Sequence, residues 1–79
     1  MSATSFEMLA APGGFNVVFT DPNYGNAVTD RFEVRSDSLG RWDVWERFDD
    51  DTAARIAESP SQHEALDLAI RYRNARRGS

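Results

Sequence analysis

Chemistry in this chain would have to come from one histidine, thirteen carboxylates, nine arginines and two tryptophans, because cysteine and lysine are absent. Disulfides, zinc–thiolate sites and lysine Schiff bases are therefore out of reach. His63 is the one imidazole available as a general base. Its place in the first turn of a predicted helix, where the macrodipole opposes a positive ring, suits an exposed helix-start residue better than a base. No G-x-S-x-G, H-E-x-x-H or phosphate-cradling glycine loop occurs, and Gly13-Gly14 falls between two strands instead of between a strand and a helix. Asp49-Asp50-Asp51 could attract a divalent cation. Adjacent carboxylates diverge on an extended chain, however, and Thr52-Ala53-Ala54 follows where a calcium loop needs spaced ligands. The reading is of a non-enzyme with no catalytic, cofactor or metal site, and of an acidic turn whose charge could serve protein docking.

The stretch from Arg41 to Asp51, RWDVWERFDDD, carries the stronger signal. As a strand it sends Trp42, Val44 and Phe48 inward, with Glu46 as the exception, and Arg41, Asp43, Trp45 and Arg47 outward. The preceding RFEVR sends Arg31, Glu33 and Arg35 outward too. Hairpin closure at Arg35–Arg41 sets Trp45 opposite Arg31, whereas a register two residues longer sets it opposite Glu33; only even shifts keep the faces. An exposed tryptophan among arginines can stack on guanidinium planes, at about 0.5–1 kcal/mol per contact. The same composition makes binding hot spots. The candidate partner-binding set is Trp45, Arg31, Arg35, Arg41 and Arg47, with Asp49, Asp50 and Asp51 as an electrostatic rim.

Those side chains need a sheet to hold them. FEMLA at 6–10 puts Phe6, Met8 and Ala10 on one side, and Pro12-Gly13-Gly14 then turns the chain. FNVVFTD puts Phe15, Val17 and Phe19 on one face, ahead of a turn or short loop at Pro22–Asn26. Residues 27–36 and 41–48 read as a hairpin closed by Ser36–Gly40, with Gly40 left-handed. TAARIAES, after the aspartates, reads as a short strand in preference to a short helix capped by Asp51. Ser61-Gln62-His63-Glu64 fits a capping box, with Ser59 as cap and Pro60 at the first helical position as the alternative, and Ala65, Leu66, Leu68, Ala69, Ile70 and Tyr72 form a stripe at helical spacing, with Gly78 as the stop. The expected fold is a single α+β domain over 1–79: a small antiparallel sheet of four to five strands packed on one C-terminal helix. One helix covers one sheet face, so Val18, Trp45 and Leu9 are left among charges on the other.

At 79 residues the core is small, and the aromatics Phe6, Phe15, Phe19, Phe32, Phe48, Trp42, Trp45, Tyr24 and Tyr72 must supply much of it. Pairing with a second copy would add buried area. No apolar run is long enough to span a membrane, and the first residues lack the basic and apolar regions of a signal peptide, so a cytoplasmic location is expected. The net charge of −4 is unevenly spread: residues 71–79 hold Arg71, Arg73, Arg76 and Arg77 and no acid. Four arginines exceed what a helix dipole needs, which opens a phosphate or acidic-partner role for the tail. The acidity of the remainder disfavours nucleic acid.

From Arg31 onward, the hairpin with Trp42-x-Val44 and the helix with Ser61, Glu64-Ala65 and Ala69 resemble small ββ(β)α modules of bacterial and phage proteins, the domain-of-unknown-function group 2188 among them. The outline is also similar to plant-type AP2 and phage-integrase arm-binding domains. That resemblance implies DNA contacts from Arg31, Arg35, Arg41, Trp45 and Arg47. Size, acidity and one uncovered face resemble the phage-encoded inhibitors, anti-CRISPR proteins included, which occlude a host protein's surface. The leading expectation is a protein partner bound through the outer hairpin face, with nucleic-acid binding and a structural homodimer as rivals.

Overall fold

The alternation of apolar and polar residues resolves into an antiparallel meander in the computed structural model, which describes residues 5–23 and 26–77. Five strands, β1 (Ser5–Ala11), β2 (Gly14–Asn23), β3 (Asn26–Ser36), β4 (Trp42–Arg47) and β5 (Ala53–Ser59), lie side by side in chain order. The helix α1 (Gln62–Arg77) follows and packs against β3, β4 and β5. The fold is thus the expected α+β domain, with the full five strands. Among the described residues no helix is long and apolar enough to cross a membrane.

Phe15, Val17 and Phe19 of β2, Phe32 and Val34 of β3 and Val44 of β4 meet Ala65 and Ala69 of α1 in the core. Each large side chain so buried stabilises by about 1.5–3 kcal/mol. The two alanines let the helix axis come close, and Trp42, Leu66 and Ile70 close the margins. Ser61 caps α1: its Oγ accepts from the Glu64 amide at 3.2 Å, which is the Ser61 half of the expected capping box.

The turns follow their residues. Pro12-Gly13 joins β1 to β2 with Gly13 at φ 80°. Asp37 closes the β3–β4 loop by accepting from the amides of Leu39 (2.8 Å) and Arg41 (3.0 Å), and Gly40 takes φ 80° as expected. The Pro22–Asn26 loop is shorter than the residue types suggested, since β2 runs to Asn23 and β3 starts at Asn26; Tyr24 and Gly25 lie outside the described residues, as does Gly78. Among the described residues β1 flanks β2 only as far as Thr20, so Pro22 has a neighbouring strand on one side, where β2 pairs with β3.

TAARIAES is a strand with a bulge. Val44 pairs with Ala57 and Trp45 with Arg55, so Ile56 is the extra residue. The bulge sends both Ile56 and Ala57 to the core and keeps Arg55 and Glu58 outside. A helix-like spacing of small residues was the result. Phe48, expected inward, is half exposed, because β4 ends at Arg47 and strand parity no longer aims side chains in the turn. Phe6 and Tyr72 are likewise more exposed than a core role implies.

Candidate functional site

The sheet face away from α1 is built by register. One row across it runs Leu9, Asn16, Glu33, Trp45, Arg55, and the next runs Glu7, Val18, Arg31, Arg47, Ala53. Trp45 therefore sits opposite Glu33, which is the longer of the two hairpin registers. Glu33 organises the centre. Arg47 grips it with two bonds, Nε to Oε2 at 2.9 Å and Nη2 to Oε1 at 3.1 Å. These bonds hold the Glu33 carboxyl below its ordinary range, against the partial burial that would raise it.

The remaining nitrogen of Arg47 reaches the acidic turn, with Nη1 3.4 Å from the carbonyl oxygens of Asp49 and Asp50. Within that turn Asp49 accepts from the Asp51 amide at 2.8 Å, and this bond, with others from Thr52, keeps its carboxyl low. Asp49 is thereby a structural residue of the turn. Asp50 and Asp51 are exposed beside it.

The sequence-predicted arginines are less available than their spacing suggested. Arg35, opposite Gly14 in the β2–β3 pairing, donates from Nη1 to the carbonyls of Phe15 (2.9 Å) and Val34 (3.0 Å) and from Nη2 to Asn16 Oδ1 (2.7 Å). Arg41 pairs with Glu58 at 3.1 Å. Arg31 is exposed, beside the Arg47 that it faces across the strands. Trp45 is half-buried, not exposed as expected. The arginine-over-ring contacts found among the described residues lie on the helix side instead, Arg73 over Phe19 and Arg76 over Tyr72. Carboxylate and carbonyl acceptors bind a guanidinium more strongly than a ring face does, and Glu33, Glu58 and Phe15 supply them.

The concave part of this face is one strand over from Trp45. A shallow cavity of about 210 Å³ is lined by Leu9, Asn16, Val18, Arg31, Glu33 and Arg47. Leu9, Asn16 and Val18 stand outside the hairpin on which the candidate set was centred. Their period-two outward positions in β1 and β2 were the available signal, and strand order was needed to use it.

Two other charged clusters are structural in their contacts. Asp37, Asp43 and Glu58 bring carboxylate oxygens within 4.8 Å of one another. Arg55 compensates Asp43 at 3.4 Å, Arg41 compensates Glu58, and two amides occupy Asp37. Under the helix, Glu46 of β4 is buried and bonded by Arg76. Arg73, buried at 3% exposure, continues the Ala65–Ala69 stripe and lies 3.5 Å from Asp30. Desolvation raises the Glu46 carboxyl above its ordinary value in spite of Arg76. Two of the tail arginines thus serve the helix–sheet contact, Arg73 with Asp30 and Arg76 with Glu46, while Arg71 pairs along the helix with Asp67 at 2.9 Å.

Comparison with known proteins returned no matching family model, no matching curated protein and no matching solved structure.

Proposed function

We propose that the chain is a non-enzymatic cytoplasmic protein that binds another protein through the sheet face away from α1, in the manner of small inhibitors that occlude a partner's surface. The observation that carries this reading is the fixed outer face: Glu33 and the β4–β5 turn hold Arg47 rigidly between half-buried Trp45 and the Leu9–Val18–Arg31 cavity. A surface whose long side chains are already ordered loses less entropy on docking. Tryptophan and arginine at such a centre are the residues binding energy concentrates on. Nucleic acid fits less well, because Arg35, Arg41 and Arg47 already bond internal acceptors and the chain carries a net charge of −4.

The test is affinity capture from lysate of the source organism, with and without nuclease, using the wild type, Trp45→Ala, Arg31→Glu and the helix control Arg71→Ala. A protein captured despite nuclease, kept by Arg71→Ala and lost by the two face variants, supports the reading. Capture abolished by nuclease, with binding that weakens steeply in salt, overturns it in favour of nucleic acid.

A further inference from the structure

The two edges of the sheet differ in a way that concerns association. The β5 edge is guarded: it carries the Ile56 bulge, its inner face lies under α1, and Arg55 and Glu58 are ion-paired to Asp43 and Arg41. Bulges and charges of this kind block strand addition. The β1 edge has none of these devices. Ser5–Ala11 reads SFEMLAA, with one charge, no proline and no bulge against β2. Phe6, Met8 and Leu9 are 43%, 50% and 46% exposed. Among the described residues the outer edge of β1 has no strand partner, and Phe6, Met8 and Leu9 leave apolar surface on both faces, with Met8 beside Gln62, His63 and Leu66 at the start of α1.

We propose that β1 is the interface of a homodimer, pairing antiparallel with β1 of a second copy about a two-fold axis at Met8. Three observations favour this occupant and this register. Met8 is the middle residue of Ser5–Ala11, so the axis there pairs all seven residues. It sets Phe6 against the partner's Ala10 and Met8 against the partner's Met8 on the helix side, a large residue beside a small one. It also sets Glu7 against the partner's Leu9, whereas an axis at Glu7 would oppose two like charges. The guarded β5 edge closes the assembly at two copies, giving one ten-stranded sheet with both helices on the same side. Seven residues a side is far fewer than the roughly 20–30 of a standard interface, which predicts a weak, reversible dimer. Leu9 belongs to both this edge and the rim of the outer-face cavity, whereas Phe6 and Met8 stand on the opposite side of the sheet from Trp45.

Sedimentation velocity from about 1 µM to 1 mM tests it. The wild type shifts from monomer toward dimer, and Met8→Lys and Met8→Glu alone remain monomeric, since each opposes like charges across the axis. Mixing the two restores a 1:1 dimer. In a chain without cysteine, Met8→Cys forms a cross-linked dimer on oxidation, as directly opposed strand residues permit. Leu39→Cys, at a loop tip 82% exposed, serves as the collisional control. A wild type that stays monomeric to 1 mM overturns the proposal. So does a Met8→Lys and Met8→Glu mixture that fails to pair, or a Met8→Cys chain that cross-links no faster than Leu39→Cys.

Discussion

Arg76→Ala is the substitution that most directly tests the physics of this fold. Glu46 is 3% exposed and is bonded by Arg76, while Glu46 Oε1 has no hydrogen-bond partner among the described residues. Removing one member of a fully buried pair costs about 3–5 kcal/mol. The Arg76 side chain is 43% exposed, so water screens the pair, and the expected loss at neutral pH falls to about 1–2 kcal/mol. In a domain of this size that is a drop in Tm of about 5–15 °C. Glu46→Gln keeps the shape without the charge and should change stability by less than about 1 kcal/mol. Adding it to Arg76→Ala should recover most of the loss.

Acidity supplies an internal check on the same substitution. The folded-state pKa of Glu46 lies above its ordinary value of 4.5 because burial penalises the anion. The native chain therefore holds the extra proton in the window above 4.5, and stability from this group is present below that value and lost as pH rises through the folded pKa. The cost of Arg76→Ala should shrink as pH is lowered toward 4.5, where Glu46 becomes neutral and needs no counterion. Urea unfolding followed by tryptophan fluorescence at neutral and acid pH measures both quantities. A loss that is the same at the two pH values, or a Glu46→Gln variant less stable than Arg76→Ala, would refute the reasoning.

Glu33 should titrate with the opposite sign: Arg47 lowers its pKa below 4.5, so its contribution is present above 4.5 and lost as pH falls through the folded value. Glu33→Gln should accordingly flatten the acid limb of the stability curve, as read from urea midpoints, and loosen Arg47. Gly14→Ala should destabilise by about 1–3 kcal/mol through overpacking, because the added Cβ would sit 1.9 Å from the Val34 carbonyl oxygen, a backbone atom that cannot step aside; thermal unfolding measures this.

Much of the fold was legible because parity and turn chemistry agreed. Phe15, Val17 and Phe19 of β2 and Phe32 and Val34 of β3 alternate onto the one buried face, and Gly13 and Gly40 fall where positive φ is needed. The hairpin faces of Trp42 and Trp45 followed from parity alone, but the register did not, since both even shifts satisfy it. Ambiguity in TAARIAES had a definite cause: a bulge at Ile56 breaks the alternation by which a strand is recognised. The candidate site was legible as a face and not as a geometry. Nothing in the spacing of Arg35, Arg41 and Arg47 reveals that Phe15, Glu58 and Glu33 hold them, because those contacts cross between strands. Arg73 and Arg76 looked like surplus charge at a helix end. Their acceptors, Asp30 and Glu46, stand thirty or more residues earlier, on β3 and β4.

The strand order also bears on how the chain reaches this structure. Every strand of the meander pairs with its neighbour in sequence, so each hairpin closes a short loop and pairing can proceed stepwise as residues become available. The helix breaks that locality. Phe19, Phe32, Val34 and Val44 keep one side uncovered until α1 docks, and Arg73 and Arg76 then join it to β3 and β4. A nascent or truncated chain lacking α1 would hold a nearly complete sheet with its apolar surface open to water, the condition in which chains aggregate or engage chaperones. Docking of α1 is what ends this vulnerability.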